Sequence, residues 1–400
     1  MPLSLLALFL AAFAYGTTEF VIAGILPEVA SGLSVSVPTA GYLVSGYALG
    51  VAIGGPILTL VTAQASRKSL LLGLLVGFSL GQLACALAPN YASMLAFRFA
   101  TAFTHGSFFG VAMVVAVSLV PQSRRGRAIA LILAGLTVSN IIGVPIGSAI
   151  GGMFGWRATF WAMFVLGLLS VAAIAMLLPA GVGPPHRPGN LGREFRALGR
   201  QQVWTSLILM LMLMIAQMMP YTYIAPILRQ VTGLAESSVP YVLLLVGVGS
   251  TAGVFVGGRL ADWNLMPSLI TLLALQAAMM LLMYVAAPYP IPMITVLVIW
   301  GGLNFAIGAP IQTRILGWTA DAPNLAAALI PSGFNLGIAI AASLGAVLLS
   351  SGLPYRSLPL LGVASMTIAT VVALTSLWLE RRAGRPAPAA LPPEDDIPAA

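Results

Sequence analysis

The sequence has very few charged residues. Of its 400 residues, 7% are charged and 59% are hydrophobic, whereas a soluble domain has about 25% charged residues. A soluble fold would therefore lack polar surface. Apolar runs of about 20 residues match the length needed to cross about 30 Å of hydrocarbon. The composition excludes an ordinary soluble protein and predicts a multi-spanning membrane protein.

Cysteine and histidine are also scarce. The sequence has one cysteine, Cys85, and two histidines, His105 and His186. One thiol excludes a disulfide framework and a cysteine-ligated cluster, and two histidines are too few for a histidine zinc site. We therefore expect no metal and no cofactor.

Twelve apolar runs between turn signals predict twelve transmembrane helices. The predicted spans are 4–26, 38–61, 69–88, 92–119, 128–153, 158–179, 204–227, 240–260, 265–286, 290–312, 323–349 and 358–379. The first run has no basic flank and carries Glu19, so we interpret it as a retained helix and not as a signal peptide.

The longest polar connection divides the chain into two halves. We predict an all-α integral membrane protein with a six-helix bundle at 1–179, a cytoplasmic linker at 180–203 and a second bundle at 204–380. The tail at 381–400 is rich in Pro and Ala without apolar periodicity, which predicts disorder.

The basic residues indicate the orientation of the chain. With the N-terminus in the cytoplasm, 14 of the 18 Lys and Arg residues fall on the cytoplasmic side, as the positive-inside rule requires. The net charge of +8 is thus a topology signal and not a nucleic-acid footprint, which would need clustering on an aqueous domain.

A glycine pattern in the second span recurs 203 residues later in the eighth, which indicates duplicated halves. The matching positions are Gly46, Gly50, Gly54 and Gly55 in the first half, and Gly249, Gly253, Gly257 and Gly258 in the second. Glycine at intervals of four is also common in any close-packed membrane helix, so coincidence is the alternative.

The fifth span carries a small residue at every fourth position around Pro145, including Gly143 and Gly147. Small residues let another backbone approach, and a proline at membrane depth is tolerated where neighbours satisfy the carbonyl that it frees. We interpret this helix as a hinge or gate; static packing is the alternative.

Two formal charges lie well inside the predicted spans, Glu19 and Arg98. Each costs at least about 2.5 to 3.5 kcal/mol at a helix centre, so such residues are functional hypotheses by default. At 1.5 Å per residue both lie roughly 10 to 12 Å from the outer helix ends. The matching depth predicts partners at a proton-coupling site, with a structural ion pair as the alternative. His105 shares the helix face of Arg98 and is a candidate relay or a hydrogen-bonded packing residue.

Uncharged polar and aromatic residues suggest a cavity for a neutral or amphipathic small molecule, which binds by apolar area and is oriented by a few hydrogen bonds. The candidate lining residues are Tyr15, Asn140, Gln217, Tyr221, Tyr223, Trp300, Asn304 and Asn335. We expect about half of them to face the cavity and the others to be helix-packing contacts.

Several stretches together resemble the major facilitator superfamily, and in particular its drug:proton antiporter branch near the arabinose-efflux and chloramphenicol-resistance exporters. They are Gly16–Phe20, Leu26–Ala30, Arg98, His105–Gly110, Gly143–Gly147, Gly155–Phe160, Tyr221–Ile224 and Gly258–Asp262. The resemblance covers nearly the whole chain up to the tail.

The resemblance implies alternating access between two bundles, with Glu19 and Arg98 at the family's acidic and basic positions. It also implies a conformational gate formed by Gly55, Arg67, Lys68, Gly143, Pro145, Gly147, Gly258 and Asp262. The sequence departs from the family pattern at Thr59, where an acidic residue is usual, and at Ala102, where glycine is common. The antiporter signature on the fifth helix is shortened to Gly143–Gly147.

We therefore expect a monomeric, non-enzymatic exporter of small organic molecules, driven by proton antiport in a bacterial inner membrane with both termini cytoplasmic. Its partners would be the substrate, protons and the lipid bilayer, without nucleic acid. A facilitator or proton-symport importer on the same scaffold is the alternative. A nucleotide-driven pump is excluded because no G-x-x-x-x-G-K-[ST] loop is present.

Overall fold

The spanning helices coincide closely with the apolar runs. A computed structural model describes residues 2–62, 65–182, 199–319 and 323–382 and contains 12 helices long and apolar enough to cross a membrane. We number them α1 to α12: Leu3–Gly24, Val37–Val61, Arg67–Ala86, Tyr91–Ser118, Arg125–Phe154, Trp156–Leu177, Gln201–Thr222, Val239–Trp263, Leu265–Ala286, Pro290–Trp318, Pro323–Ser350 and Leu358–Arg382. The prediction of twelve helical spans is confirmed. In hydrocarbon only a helix pairs every backbone group within its own segment, which explains why each run is helical.

The helix ends lie at two faces because consecutive spans run in opposite directions. The face that holds the start of α1 and the end of α12 is called the terminal face. The face that holds the short helix Leu26–Gly32 and the segment 223–238 is called the opposite face. Residues 183–198 of the predicted linker and 383–400 of the predicted tail lie outside the described residues.

Short turns between helices are fixed by capping groups. Ser66 accepts a hydrogen bond from the backbone N–H of Ser69 at the start of α3, and Asn90 and Ser93 form a capping box at the start of α4, which satisfies otherwise orphaned donors. Gly155 alone separates α5 from α6 and has φ +84°, a conformation that glycine adopts readily.

Corresponding helices pack alike in the two halves. Helix α2 packs on α4 as α8 packs on α10, α3 on α6 as α9 on α12, and α1 on α5 as α7 on α11. The halves meet along two seams, α2 with α11 and α5 with α8. This arrangement is the predicted pair of pseudo-symmetric six-helix bundles.

The two glycine rows lie at equivalent helix crossings. Each glycine faces the residue 49 positions later: Gly46, Gly50 and Gly54 face α4 at Leu95, Phe99 and Phe103, and Gly249, Gly253 and Gly257 face α10 at Val298, Gly302 and Ala306. A common offset at a common crossing is expected of duplicated halves and not of chance spacing.

Helix α5 is interrupted at its middle. A π-helical turn spans Ser139–Gly143, immediately before Pro145 at the start of the next α-helical segment. Because Pro145 has no N–H to donate to the preceding turn, the regular hydrogen-bond ladder cannot continue through it, and a local π turn accommodates the loss.

Candidate functional site

Glu19 and His105 face each other inside the first bundle. Glu19 on α1 has its Oε2 atom 3.9 Å from Nε2 of His105 on α4. The two side chains are 11% and 7% exposed, so neither is solvated as it would be at a surface. The imidazole lies within ion-pair distance of the Glu19 carboxyl and pairs with it when His105 is protonated.

Tyr47 on α2 connects His105 to Arg98. Its hydroxyl lies 2.9 Å from Nδ1 of His105, and the Arg98 guanidinium lies 4.6 Å from the centre of the Tyr47 ring, a cation–π geometry. Arg98 donates from Nε to the carbonyl of Leu43 at 3.1 Å. Glu19 and Arg98, which the sequence predicts to be partners, are connected through His105 and Tyr47.

Arg98 also keeps an unpaired donor. Its side chain is 1% exposed, and its Nη2 atom is buried without a hydrogen-bond partner. A buried donor of this kind is costly and usually has a functional or structural cause. The guanidinium is thus available to a negatively charged or carbonyl group that comes within reach.

Tyr15 lies in the core of the first bundle and not on a central space. Its ring packs against Phe78, Phe108 and His105 at centroid distances of 4.5, 4.7 and 5.2 Å. Its hydroxyl donates to the Leu74 carbonyl at 3.1 Å. The residue supports the His105 ring from behind, so the expectation that it lines the cavity needs correction.

Two small spaces lie between the bundles near mid-membrane. One, of about 10 Å³, is lined by Glu19 and Tyr47 of the first bundle and by Thr222 and Ile338 of the second. The other, of about 30 Å³, lies beside it. Phe20, Met218 and Tyr221 line both spaces. A cavity needs about 10–15 Å³ to hold one water molecule, so neither space admits an organic molecule in this conformation.

Five of the predicted cavity residues converge on the larger space: Asn140, Gln217, Tyr221, Trp300 and Asn304. Tyr221 stacks on Trp300 with a centroid distance of 6.3 Å. The Trp300 Nε1 atom and the Asn304 Nδ2 atom are buried without a hydrogen-bond partner. The wall therefore combines aromatic faces with two unused donors.

Gln276 on α9 contacts a lining residue of the larger space, Asn304, and was missed. It is buried and donates from Nε2 to the Asn304 Oδ1 atom at 2.5 Å. Gln276 thus pairs with the Asn304 oxygen, and the Asn304 amide nitrogen stays without a partner. A buried amide in an otherwise apolar ninth span was the available sequence signal.

Tyr223 and Asn335 line neither space. Tyr223 donates to the Ala342 carbonyl at 3.1 Å and packs against Tyr355 at the opposite face, where it fills the room left by Gly41 and Gly345. Asn335 donates to the Pro331 carbonyl of its own helix at 3.0 Å. Tyr223 is thus a helix-packing residue, whereas Asn335 bonds within its own helix. Sequence shows a helix face but not the neighbour that the face meets.

The predicted gate residues Gly55, Arg67 and Lys68 lie at a helix crossing and at helix ends of the first bundle. Gly55 on α2 crosses Gly106 on α4, where a Cβ would lie 3.1 Å from the Gly106 Cα. Lys68 donates to the carbonyls of Ala175 and Leu178 at 2.7 and 2.5 Å and so caps the end of α6. Arg67 stands beside it at the start of α3, with its Nε atom buried and unpartnered.

The small-residue row of α5 packs within the first bundle. A Cβ at Gly143 would meet Thr17, and one at Gly147 would meet Val21 at 2.5 Å, both on α1. Static packing between α1 and α5 thus accounts for these two glycines. The seam between the bundles is made instead by Gly247 on α8, where a Cβ would lie 2.6 Å from the Asn140 carbonyl.

Gly258 and Asp262 lie near the terminal end of α8. Nothing lies within 4 Å of a Cβ built on Gly258, and Asp262 is exposed. Neither residue is engaged in close packing in this conformation.

An ion-pair network at the opposite face joins the two bundles and was missed. Arg229, after α7, contacts Glu28 through Nη1 at 2.5 Å and Glu236 through Nη2 at 2.9 Å. Glu28 belongs to the first bundle, so the network holds the bundles together at this face. The predicted spans place Arg229 between the seventh and eighth helices but do not show its partners.

A second missed cluster lies near the terminal face of the second bundle. Arg314 on α10 contacts Glu380 on α12 at 2.5 Å, and the side chains are 0% and 2% exposed. Arg314 also donates to the hydroxyls of Ser206 and Ser376 at 2.9 and 2.7 Å. Both charges belong to helix ends beyond the predicted spans, because α10 continues to Trp318, past the predicted end at 312, and α12 continues to Arg382, past 379.

Comparisons with known proteins agree with this architecture. The sequence profile described as Major Facilitator Superfamily matches residues 8–323. The chain is 37% identical over 372 residues to the inner membrane transport protein YdhP of Escherichia coli (strain K12), covering 93% of this chain and 95% of that protein. It is 35% identical over 345 residues to the chloramphenicol resistance protein of Streptomyces lividans, covering 85% and 87%. A solved bacterial homologue of the human lysosomal transporter Spinster has the same fold, with a TM-score of 0.72 and 16% identity over 95% of this chain and 96% of that chain.

Proposed function

Because this chain belongs to the Major Facilitator Superfamily and is a membrane transporter, we propose that it exports small organic molecules by proton antiport. The observation that carries the proposal is the wall shared by two sites. Phe20, next to Glu19, lines both the smaller space, which Glu19 also lines, and the larger space, which Trp300 also lines. A substrate that separates Phe20 from Tyr221 would change the surroundings of the Glu19 carboxyl at the same time.

The first bundle supplies the proton-handling groups. Glu19 takes up and releases the proton, and His105, oriented by the Tyr47 hydroxyl, is its exchange partner. Arg98 lies on the far side of Tyr47, and its positive charge favours the ionised form of the Glu19 carboxyl. Hydration of the small space beside Glu19 would switch the carboxyl between neutral and charged, since water stabilises charge far better than an apolar wall does.

The second bundle supplies most of the substrate-binding groups. Tyr221 and Trp300 provide aromatic faces, and Gln217, Asn304 and Asn140 orient the ligand by hydrogen bonds. This set suits a neutral or amphipathic molecule with a carbonyl or hydroxyl acceptor for the unused Trp300 and Asn304 donors. Chloramphenicol, named in a relative, has this chemistry and is the first compound to test.

We propose that the terminal face is cytoplasmic and that the membrane is the bacterial inner membrane, as the basic residues and the name of a relative suggest. The Arg229 network closes the opposite face in the present conformation. Transport would alternate this closure with closure at the terminal face, where Gly55, Arg67, Lys68, Gly258 and Asp262 lie, while Pro145 and the π turn let α5 bend.

The test is proton movement in vesicles that hold the purified protein and a pH-sensitive dye. We expect chloramphenicol or a related neutral compound to evoke proton release, and Glu19→Gln to reduce proton-driven export at least tenfold. Exchange of labelled substrate across the membrane should persist in Glu19→Gln, because exchange needs no net proton transfer.

A facilitator or importer would give a different pattern. Unchanged net transport in Glu19→Gln would indicate a facilitator, and proton uptake in the direction of substrate flow would indicate a symporter. Either result would overturn the antiport proposal while leaving the family assignment in place.

A further inference from the structure

A large cavity lies away from the central spaces. It occupies about 740 Å³ between α5 and α8, next to the short helix Leu26–Gly32 at the opposite face. Its wall is mostly apolar and includes Ile142, Ile146 and Tyr241, which are 45%, 54% and 70% exposed. These residues lie on membrane-spanning helices, so the cavity opens sideways toward lipid. We call it the lateral cleft.

One end of the lateral cleft is charged. Glu28, Arg229 and Glu236 all line it, and two carboxylates facing one guanidinium leave a formal charge of −1. The Glu28 Oε1 atom binds Arg229, whereas its Oε2 atom is buried without a hydrogen-bond partner. An unpaired buried carboxylate oxygen is an acceptor that lacks a donor, and such an atom is expensive to leave unpaired.

Arg229 has donors to spare. A guanidinium carries five N–H groups, and the two carboxylates each engage one terminal nitrogen. The side chain is 30% exposed, so remaining N–H groups can reach an anionic group near the membrane surface. The charged end thus offers a site for a cation at Glu28 and a site for an anion at Arg229.

We propose that the lateral cleft binds a phospholipid with a primary ammonium headgroup. The ammonium donates to the Glu28 Oε2 atom, the phosphate accepts from Arg229, and an acyl chain lies along the apolar wall of α5 and α8. A quaternary ammonium has no N–H and cannot pair with Oε2, so the site distinguishes ethanolamine from choline headgroups. The inference concerns bilayer lipid and is independent of the proposed transport function.

Native mass spectrometry of the full-length protein tests this inference. The protein is reconstituted with equal amounts of phosphatidylethanolamine and phosphatidylcholine of the same acyl chains, released into the gas phase, and its retained lipids are counted. We expect the wild type to retain one phosphatidylethanolamine in preference to phosphatidylcholine by about tenfold or more, the range of a charge-assisted hydrogen bond. Glu28→Gln should abolish the preference.

A matched pair of glycine substitutions locates the lipid. A Cβ at Gly152, in the cleft wall, would meet only the Glu236 Oε1 atom, at 3.6 Å, an ordinary contact distance, so a side chain at this position starts into the cleft without a clash at Cβ. Nothing lies within 4 Å of a Cβ at Gly73, an exposed position on α3. We expect Gly152→Val to lose the retained lipid and Gly73→Val to keep it.

Three results would overturn the inference. They are equal retention of the two lipids by the wild type, an unchanged preference in Glu28→Gln, and retention in Gly152→Val equal to that in Gly73→Val. The thermal unfolding midpoint of each variant is measured alongside, so that loss of lipid is read only from variants that stay folded.

Discussion

At the residue scale, Tyr47 determines how His105 faces Glu19. The hydroxyl contact at Nδ1 fixes the ring so that Nε2 points toward the carboxyl, as a hydrogen bond at one imidazole nitrogen usually does for the other. The ring is also held by Tyr15 on its other side. Two tyrosines thus contact one histidine, and only one of them contacts a ring nitrogen.

This difference gives a controlled prediction. Tyr47→Phe leaves the His105 Nδ1 atom without its partner and should reduce proton-coupled transport about tenfold in the vesicle assay. Tyr15→Phe removes a buried hydroxyl that binds the Leu74 carbonyl and should cost about 1 kcal/mol of stability while preserving coupling. Equal transport in the two variants would show that Tyr47 does not orient the histidine.

Glu28 gives a prediction about pH. Burial raises the pKa of the Glu28 carboxyl above its ordinary value of 4.5, and its own backbone N–H and the facing Arg229 lower it only in part; Glu236 acts in the same direction as burial. The folded protein therefore holds this proton more tightly than the unfolded chain. The resulting stabilisation is complete below pH 4.5 and is lost as the pH rises through the folded-state pKa.

Glu28→Gln does not titrate, so its stability relative to the wild type should rise over that interval. The measurement is the thermal unfolding midpoint of both proteins in detergent from about pH 4 to about pH 8. A difference between the two midpoints that stays constant over this pH range would show that the Glu28 carboxyl does not cause the pH dependence of stability.

At the scale of single helices, the glycine rows set how closely α2 approaches α4 and α8 approaches α10. The Gly253 position is the tightest of these, since a Cβ there would collide with the Gly302 carbonyl. The Gly302 carbonyl and the Gly253 Cα atom belong to helix backbones, which cannot move aside without separating α8 from α10. Gly258, five residues later on the same helix, has open space at the Cβ position.

Alanine at these two glycines should therefore have opposite effects. We expect Gly253→Ala to cost about 1–3 kcal/mol by overpacking, and Gly258→Ala to be neutral or to stabilise by up to about 1 kcal/mol through helix propensity. Thermal unfolding in detergent measures both. Equal midpoints would mean that the α8–α10 crossing is looser than the structure indicates.

The existence of the helices was predictable from sequence, whereas some of their ends were not. Apolar length is sufficient to identify a span because the bilayer imposes it. The end of α10 was misplaced because Arg314 looks like a loop residue until Glu380 and two serine hydroxyls supply its partners. The π turn before Pro145 likewise depends on local hydrogen bonding that apolar periodicity does not report.

The candidate site was predictable in composition but not in connectivity. Glu19, Arg98 and His105 stand out because charge and imidazole are rare inside spans. Tyr47, which joins them, does not stand out among the ten tyrosines of the sequence. Periodicity assigns a residue to a helix face, but the helix that covers this face follows from three-dimensional packing.

At the scale of the whole molecule, the two bundles meet along the α2–α11 and α5–α8 seams and are joined at the opposite face by Arg229. The central spaces are too small for a substrate, so binding requires the bundles to separate. Bundles that rock about a central site are the usual solution in transporters built from repeats.

Breaking the network at Arg229 should shift this equilibrium. Spin labels at the exposed positions Ser31 and Ser237 report the distance between the bundles at the opposite face, while the single cysteine, Cys85, is buried. Arg229→Gln should increase the population of long distances, because it removes two ion pairs. Arg157→Gln is the matched control, since Arg157 contacts Ala88 and Trp156 within the first bundle. An identical shift in both variants would contradict the role of the network.

The most direct test of the account is the protonation state of Glu19 during the transport cycle. Difference infrared spectroscopy records the carboxyl C=O band that Glu19→Gln removes, while substrate is added to the purified wild-type protein. We predict that the band of the protonated carboxyl disappears as substrate binds and returns when the substrate is washed out. A Glu19 carboxyl that keeps one protonation state with and without substrate would contradict proton-coupled export.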